Sequence, residues 1–176
     1  MSKQIEIVDQ QPSNSSWYRQ VLGTLPTGVC VVTTTGPDGM STGMAVGSLA
    51  SVSLDPPLIS FMPDKRSATW EIIERSGRFC ANILAAEQED ICRTFASKDS
   101  DKFSGIACRL SENGCPIIED AVAWIDCNIE TVVDAGDHQI VIGRVKELRI
   151  ERLRSPLIFF KGGYGQFHPL PPTVIG

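Results

Sequence analysis

The sequence predicts a mainly β fold, a β-barrel with a few short flanking helices. Apolar runs rich in β-branched residues recur at short spacing and are bounded by glycine, proline and aspartate, which is typical of barrel strands. The helical patterns are too few to separate these strands into βαβ units. A length of 176 residues, with 42% hydrophobic and 21% charged residues, suits one globular domain.

The first third of the chain alternates between strand and turn signals. A short helix is expected over residues 17–25, and the run 29–34 is rich in valine and threonine, which favour strands. Glycine, proline and aspartate at 36–39 form a turn that folds the chain back along 40–46. The apolar residues 58–62 predict a further strand. Together these elements predict a hairpin followed by another strand.

Two helices are predicted in the middle of the chain. Ser67 suits the N-cap of a helix that contains Trp70, and Gly77 ends it, because glycine tolerates the left-handed conformation of a helix end. Residues 79–84 are again extended, and residues 87–95 again follow a helical pattern. Both helices are short, so we expect them to flank the strands.

The last third predicts a long hairpin and a closing strand. Residues 123–133 and 139–151 form two long strands joined by a turn at 134–137, and the second strand alternates apolar and polar side chains. The Gly-Arg pair at 143–144 interrupts that alternation and predicts a β-bulge. Residues 157–160 form the closing strand.

Composition and missing motifs exclude several function classes. The net charge of −5 and the lack of a basic stripe argue against nucleic-acid binding, and no apolar run reaches the roughly 18 residues of a membrane span. There is no Rossmann Gly-x-Gly-x-x-Gly, no phosphate-binding P-loop and no Gly-x-Ser-x-Gly nucleophile elbow. The run Gly162-Gly163-Tyr164-Gly165 opens no helix and is predicted as a turn.

The cysteines predict neither disulfides nor a metal site. Cys30, Cys80 and Cys127 lie in apolar, strand-like runs, where free cysteine behaves as a small hydrophobe. No Cys-x-x-Cys occurs, and the chain has only two histidines, His138 and His168. We therefore expect a reduced, cytoplasmic protein without a metal.

The termini are expected to lie outside the folded domain. Residues 1–16 are polar, show no signal-peptide pattern and are interpreted as a flexible lead-in. Residues 17–170 form the predicted domain, and residues 171–176 form a C-terminal tail.

Small and hydroxylated side chains concentrate between Thr42 and Ser67. Such residues let the backbone approach a flat ligand closely and supply short hydrogen bonds. The Lys65-Arg66-Ser67 cluster ahead of a helix suits a phosphate, because cations and a helix N-terminus both attract anions. A serine-rich surface loop beside an ordinary capped helix is the alternative, and composition alone favours it.

The turn that contains Gly136-Asp137-His138 allows two interpretations. Glycine and aspartate are common in hairpin turns, and a lone histidine at such a turn is usually an exposed polar residue. A histidine at a barrel rim can also donate to a carboxamide or a phosphate of a bound nucleotide. Spacing along the chain does not decide between the two.

Six ordered segments carry a resemblance to a known family. They are Leu25-Pro26-Thr27-Gly28-Val29; the segment from Val52-Ser53 through Asp55-Pro56-Pro57-Leu58; Ser76-Gly77-Arg78 through Leu84; Phe95 through Phe103; Gly136-Asp137-His138 through Val145; and Pro156-Leu157 with Gly163-Tyr164. In this order the chain resembles the short-chain flavin reductases, the reductase components of two-component flavin-dependent monooxygenases. The resemblance runs from about Trp17 to Phe167.

The resemblance implies an FMN-binding split β-barrel that forms a homodimer, with the flavin near the subunit interface. It places His138 against the nicotinamide as the catalytic residue, with Tyr164 nearby as a further cofactor-binding residue. The implied flavin-binding residues are small, polar or cationic, or lie beside such residues in the sequence. They are Thr42, Gly43, Met44, Ala45, Val46, Gly47, Ser48, Val52, Ser53, Lys65, Arg66, Ser67, Ala81, Asn82, Lys98 and Phe103. Many relatives carry Thr-x-Asn-Ser or Thr-x-Ser-Ser where this chain has Ala45-Val46-Gly47-Ser48, which shifts contacts there to the backbone.

The resemblance also implies an activity. An NAD(P)H:flavin oxidoreductase would transfer hydride from NADH or NADPH to FMN, or to FAD, and reduced flavin would diffuse to a partner monooxygenase. Two alternatives remain open at this point. One is a flavoprotein of the same architecture that keeps its flavin and reduces an organic substrate directly, and the other is a non-catalytic flavin- or haem-binding barrel.

Overall fold

The computed structural model describes residues 11–97 and 101–170. Its three α-helices are α1 (Ser15–Leu22), α2 (Ala68–Ser76) and α3 (Glu89–Ala96), the last preceded by a 3-10 turn at Ala86–Gln88. The strands are β1 (Thr27–Gly28), β2 (Cys30–Thr35), β3 (Ser41–Val46), β4 (Ala50–Leu54), β5 (Pro57–Phe61), β6 (Arg78–Ile83), β7 (Cys108–Leu110), β8 (Pro116–Ile118), β9 (Ala123–Ala135), β10 (His138–Ile150), β11 (Leu157–Phe160) and β12 (Gly163–Gln166).

A seven-stranded antiparallel sheet forms the body of the molecule, in the order β3-β2-β6-β9-β10-β5-β4. A three-stranded sheet, β1-β11-β12, and the hairpin β7-β8 complete the described strands. The β2–β3 and β9–β10 hairpins agree with the predicted turns, and Gly39 and Gly136 adopt positive φ there.

The predicted bulge in the long hairpin is confirmed. The β9–β10 register shifts between Ile142 and Gly143, and a second shift lies between Val145 and Glu147. A Cβ at Gly143 would lie 2.5 Å from Cζ of Phe79, a ring that is fully buried. Glycine is required here because the strand passes directly over this ring.

Two apolar clusters fill the interior. One packs Phe61, Trp70 and Phe79 edge to face, with ring centroids 5.8 Å and 5.0 Å apart. The other gathers Leu84 and Phe95 with residues of β2, β8 and β11. The first cluster lies under α2 and the second lies under α3, so burial holds both helices against β2 and β3.

Local signals account for α2. The Ser67 hydroxyl accepts a hydrogen bond from the Trp70 amide at 3.2 Å, and Gly77 adopts φ of 68° at the C-cap, as predicted. Helix α1 begins at Ser15 and ends at Leu22, both earlier than predicted. The Asn14 side chain caps its first turn. None of the helices described is long and apolar enough to cross a membrane.

Several short strands were not predicted, and one prediction was wrong. The glycine-rich segment at Gly163 is strand β12, not a turn, because it pairs with β11 along its whole length. Strands β1, β4, β7 and β8 likewise depend on pairing with strands distant in sequence or across a turn. All six cysteines are free thiols, and no group of three metal-binding side chains occurs among the residues described.

Candidate functional site

A groove of about 770 Å³ lies where β3 meets the N-terminus of α2 and the C-terminus of α3. Five of the predicted flavin-binding residues line it: Thr42, Met44, Ala45, Arg66 and Ser67. Apolar surface from Ile72 and Phe95 borders the same space. The structure thus brings together β3 and the N-terminus of α2 with the preceding Arg66.

The N-terminus of α2 supplies donors at this groove. Ser67 is the N-cap, and Ala68 and Thr69, which begin the helix, also line the groove. Amides in the first turn of a helix have no acceptor within the helix, and the helix dipole is positive at this end. The guanidinium of Arg66 adds a formal positive charge beside them. This arrangement suits an anionic group such as a phosphate.

Lys102 enters the groove from the opposite side and was not predicted as a site residue. Its ammonium donates to the backbone carbonyls of Gly43 at 3.3 Å and Phe95 at 3.0 Å. The adjacent Phe103, which was predicted, packs edge to face on Phe95 with centroids 5.0 Å apart. The Asp-Lys-Phe segment of the family resemblance was the only sequence signal for Lys102. Lys98, the other predicted residue of this loop, lies outside the described residues.

The two predicted glycines of this region make room for the protein's own side chains. A Cβ at Gly43 would lie 2.8 Å from Cε1 of Phe95, so glycine lets α3 pack directly on β3. A Cβ at Gly47 would lie 2.9 Å from Oγ1 of Thr27. The close approach of the backbone that was inferred from the sequence is therefore present, but the groups that approach Gly43 and Gly47 here are side chains of the protein.

Three of the predicted flavin-binding residues have side chains that turn into the core. Val46 is only 9% exposed and belongs to the first core cluster. Ala81 and Asn82 are both 0% exposed. The Asn82 amide donates to the Val31 carbonyl at 3.1 Å, and its oxygen accepts from the Ile118 amide at 2.8 Å. These side chains support the fold and do not line the groove.

The predicted residues of β4 lie at the edge of the large sheet. The β4–β5 register shifts between Ser51 and Ser53, which places Val52 in a bulge where it is 48% exposed. Ser48, between β3 and β4, accepts a hydrogen bond from the Met62 amide at 2.9 Å. Ser48 therefore ties this corner to the segment that leads into Lys65 and Arg66.

His138 begins β10 and lies against residues 63–65. An isolated antiparallel bridge pairs His138 with Asp64, and the Gln139 amide donates to the Pro63 carbonyl at 3.0 Å. The Lys65 amide donates to the Asp137 carbonyl at 3.1 Å, and Nδ1 of His138 lies 2.8 Å from Oδ1 of Asp137. The hairpin turn and the basic cluster are thus one connected unit.

Each cation of that cluster has a carboxylate partner. Arg66 binds Asp64 through Nε at 3.1 Å and Nη2 at 2.7 Å, and Lys65 Nζ lies 3.2 Å from Asp134. The Arg66 hydrogen bonds hold the pKa of Asp64 well below its usual range, and Asp64 raises the pKa of Arg66. Hydrogen bonds from Gln139 and then Lys65 lower the pKa of Asp134. Asp64, Asp134 and Arg66 are therefore ionised at neutral pH.

Tyr164 lies on β12 and contacts α3. Cys92 Sγ donates to its hydroxyl at 3.3 Å, and the Arg93 guanidinium lies 4.9 Å from its ring centroid. The Cys92 hydrogen bond, with burial, raises the pKa of Tyr164 to about 12. Its ring also packs on Phe159 at 5.3 Å. Tyr164 therefore contacts α3 and β11, whereas His138 contacts residues 63–65 and Asp137.

Comparison with known proteins finds a family that spans this whole arrangement. The model of the flavin reductase like domain matches residues 22–168. A flavin reductase from Pseudomonas putida is 54% identical over 167 residues, covering 95% of this chain and 98% of its own. The reductase subunit HsaB of a flavin-dependent monooxygenase from Rhodococcus jostii is 47% identical, covering 86% of this chain and 77% of its own.

Solved structures agree with the fold. The homologue of nitrilotriacetate monooxygenase component B from Mycobacterium thermoresistibile superposes with a TM-score of 0.84 at 43% identity, covering 89% of each chain. The NADH:FAD oxidoreductase SgcE6 of Streptomyces globisporus, solved with NAD and FAD fragments, gives 0.86 at 34% identity over 94% of this chain and 98% of its own. The predicted class, a mainly β split barrel with short flanking helices, is confirmed. The sequence match and the shared fold together show that this chain belongs to the flavin reductase like domain family.

Proposed function

We propose that this protein is an NAD(P)H:flavin oxidoreductase that reduces FMN, with FAD as the alternative, and supplies reduced flavin to a partner monooxygenase. The observation that carries the proposal is the groove between β3, α2 and α3, in which a cationic, amide-rich end adjoins an apolar strand surface. The relatives named flavin reductase, reductase subunit of a flavin-dependent monooxygenase, and FMN reductase (NADH) support the same activity.

The residues present fit a flavin mononucleotide. Arg66, the Ser67 hydroxyl and the first amides of α2 would bind its phosphate, because charge-assisted hydrogen bonds and the helix dipole act together there. Met44 and Ala45 offer apolar side chains against which a flat ring can pack. Lys102 adds a second positive charge on the facing wall.

The bound flavin supplies the hydride-accepting chemistry, so the chain's task is to bind and orient two ligands. The apolar surfaces of Met44, Ile72 and Phe95 exclude water from one side of the groove. The α2 end and Arg66 fix the orientation of the anionic tail. These residues would hold the ligand by noncovalent contacts, which is consistent with a flavin that leaves after reduction.

His138 is proposed to contact the nicotinamide. Its backbone is bridged to Asp64, directly before the Lys65-Arg66-Ser67 cluster, and its ring is exposed. His138→Ala should raise KM for reduced nicotinamide and slow flavin reduction, while the FMN dissociation constant stays near wild type. Anaerobic stopped-flow reduction across a nicotinamide series measures both. Unchanged saturation behaviour would leave His138 as a turn residue only.

A homodimer is also proposed. Apolar side chains are exposed on α1, in the segment after it and on β11, among them Leu22, Leu25, Phe159 and Phe160. Exposed apolar surface on a small domain is a common feature of subunit interfaces. Sedimentation at micromolar concentration should give about twice the chain mass of 19.2 kDa. A fully active monomer would contradict this proposal.

One assay tests the proposed activity. Purified protein is mixed with NADH or NADPH and with FMN, FAD or riboflavin, and nicotinamide oxidation is followed by absorbance. Turnover that depends on added free flavin supports the proposal. Tight retention of one flavin per chain, with reduction of an organic substrate, would favour a direct flavoprotein reductase. No nicotinamide oxidation with any flavin would indicate a binding module.

A further inference from the structure

Arg66 has two competing uses. It lines the groove, yet its guanidinium is already bonded to Asp64, through Nε to Oδ1 at 3.1 Å and through Nη2 to Oδ2 at 2.7 Å. The Asp64 carboxylate also accepts from the Arg66 backbone amide at 2.8 Å. Two of the N–H groups with which Arg66 would bind a phosphate are therefore occupied by a carboxylate, which has similar geometry and charge.

Asp64 is the fixed member of this pair. Its backbone is bridged to His138, and its carbonyl accepts from the Ser67 amide at 3.0 Å. Its side chain is 33% exposed, whereas the Arg66 side chain is 83% exposed. The Arg66 side chain is thus free to exchange partners by rotation, while Asp64 stays outside the groove.

Exchange between the two partners is easy on energetic grounds. An exposed ion pair in water changes an equilibrium constant by only about two- to fivefold, because solvent screens the charges and ordering long side chains costs entropy. A phosphate that also meets the α2 amides can displace the carboxylate.

From this geometry, and resting on the proposed function, we propose that the Asp64 carboxylate competes with the flavin phosphate for Arg66 and so weakens the binding of phosphorylated flavins. Asp64 is a positioning residue in this scheme, since it acts through Arg66. Such competition favours release of the flavin, which a reductase needs when its product must diffuse to another enzyme. Arg66 binds Asp64 again as the flavin leaves.

Asp64→Asn tests the proposal directly. Asparagine can still accept from the Arg66 amide and so preserves the turn, but it removes the charge. Fluorescence titration at low salt, without nicotinamide, should show FMN binding about two- to fivefold tighter than in wild type, with riboflavin unchanged. The gain should shrink at high salt.

A matched control is available on α2. Glu71 pairs with Arg75 at 2.6 Å, an exposed carboxylate–arginine contact of the same kind that does not line the groove. Glu71→Gln makes the same change in net charge and should leave the FMN dissociation constant at the wild-type value. Equal tightening in both variants would overturn the proposal in favour of a general charge effect.

Arg66→Ala completes a double-mutant cycle. Arg66→Ala alone should weaken FMN and spare riboflavin, and adding Asp64→Asn to it should then produce no further tightening. Full tightening in the absence of Arg66, or none in its presence, would overturn the proposal. Should Asp64→Asn lower the melting temperature, Asp64→Ser, whose hydroxyl also accepts in such turns, replaces it. Because these titrations use no nicotinamide, their outcome is separate from the turnover assay that tests the proposed function.

Discussion

Replacing Asn82 with alanine separates a structural role from a ligand-binding role. Asn82 was predicted to bind the flavin, but its side chain is 0% exposed and lies between β2, β6 and β8. Its oxygen is the acceptor for the Ile118 amide at 2.8 Å, and its Nδ2 donates to the Val31 carbonyl and the Thr33 hydroxyl, each at 3.1 Å. Alanine removes these hydrogen bonds and leaves a small void.

The expected loss follows from those contacts. A buried amide left without its acceptor costs about 1–3 kcal/mol, and the unfilled volume adds on the order of 1 kcal/mol. We therefore expect Asn82→Ala to lower the free energy of unfolding by about 2–4 kcal/mol. For a chain of this size that corresponds to a melting temperature lower by about 5–15 °C.

Thermal unfolding of the ligand-free protein, followed by circular dichroism, measures this loss. Asn128→Ala is the matched control, because Asn128 lies on β9 with an exposed side chain bonded to Asn113 at 2.9 Å, and it should cost no more than about 0.5 kcal/mol. At a temperature where Asn82→Ala is folded, its FMN dissociation constant should equal that of wild type. Normal stability with strongly weakened FMN binding would refute the structural assignment.

Two further expectations concern buried or groove-lining charges. Lys102→Gln should weaken the binding of FMN by about 1–2 kcal/mol and the binding of riboflavin less, since only FMN carries the phosphate. Equal weakening for both flavins would indicate that Lys102 acts only through its hydrogen bonds to the carbonyls of Gly43 and Phe95. Burial raises the pKa of Asp126, so its ionisation lowers stability as pH rises from the usual carboxyl pKa of 3.8 through the folded value. Asp126→Asn should therefore gain stability relative to wild type as the pH rises above 3.8, and melting curves that show the same difference at every pH would contradict this.

Much of the backbone was predictable because its determinants are local. The Ser67 cap, the Gly77 helix end and the turns at Gly39 and Gly136 each depend on side chains or φ angles within a few residues. The bulge at Gly143 broke the alternation of a long strand and was therefore visible in the sequence.

The short strands escaped prediction because their partners lie elsewhere. Strand β12 begins in a glycine-rich stretch with no strand pattern of its own, and it is extended because β11 provides its hydrogen bonds. Strand β4 was interpreted as part of a ligand-binding stretch, yet it pairs with β5 at the sheet edge. For such segments, pairing outweighs intrinsic propensity.

By itself the sequence determined the family, the mainly β class and the basic cluster at Lys65-Arg66-Ser67, since these depend on residue order and local pattern. The tertiary structure alone decided which side chains reach the groove. It turned Val46 and Asn82 inward, brought Lys102 to the carbonyl of Gly43 across 59 positions, and paired Lys65 with Asp134. Which face of a strand is buried, and which carboxylate meets a cation, depends on neighbours that only folding brings together.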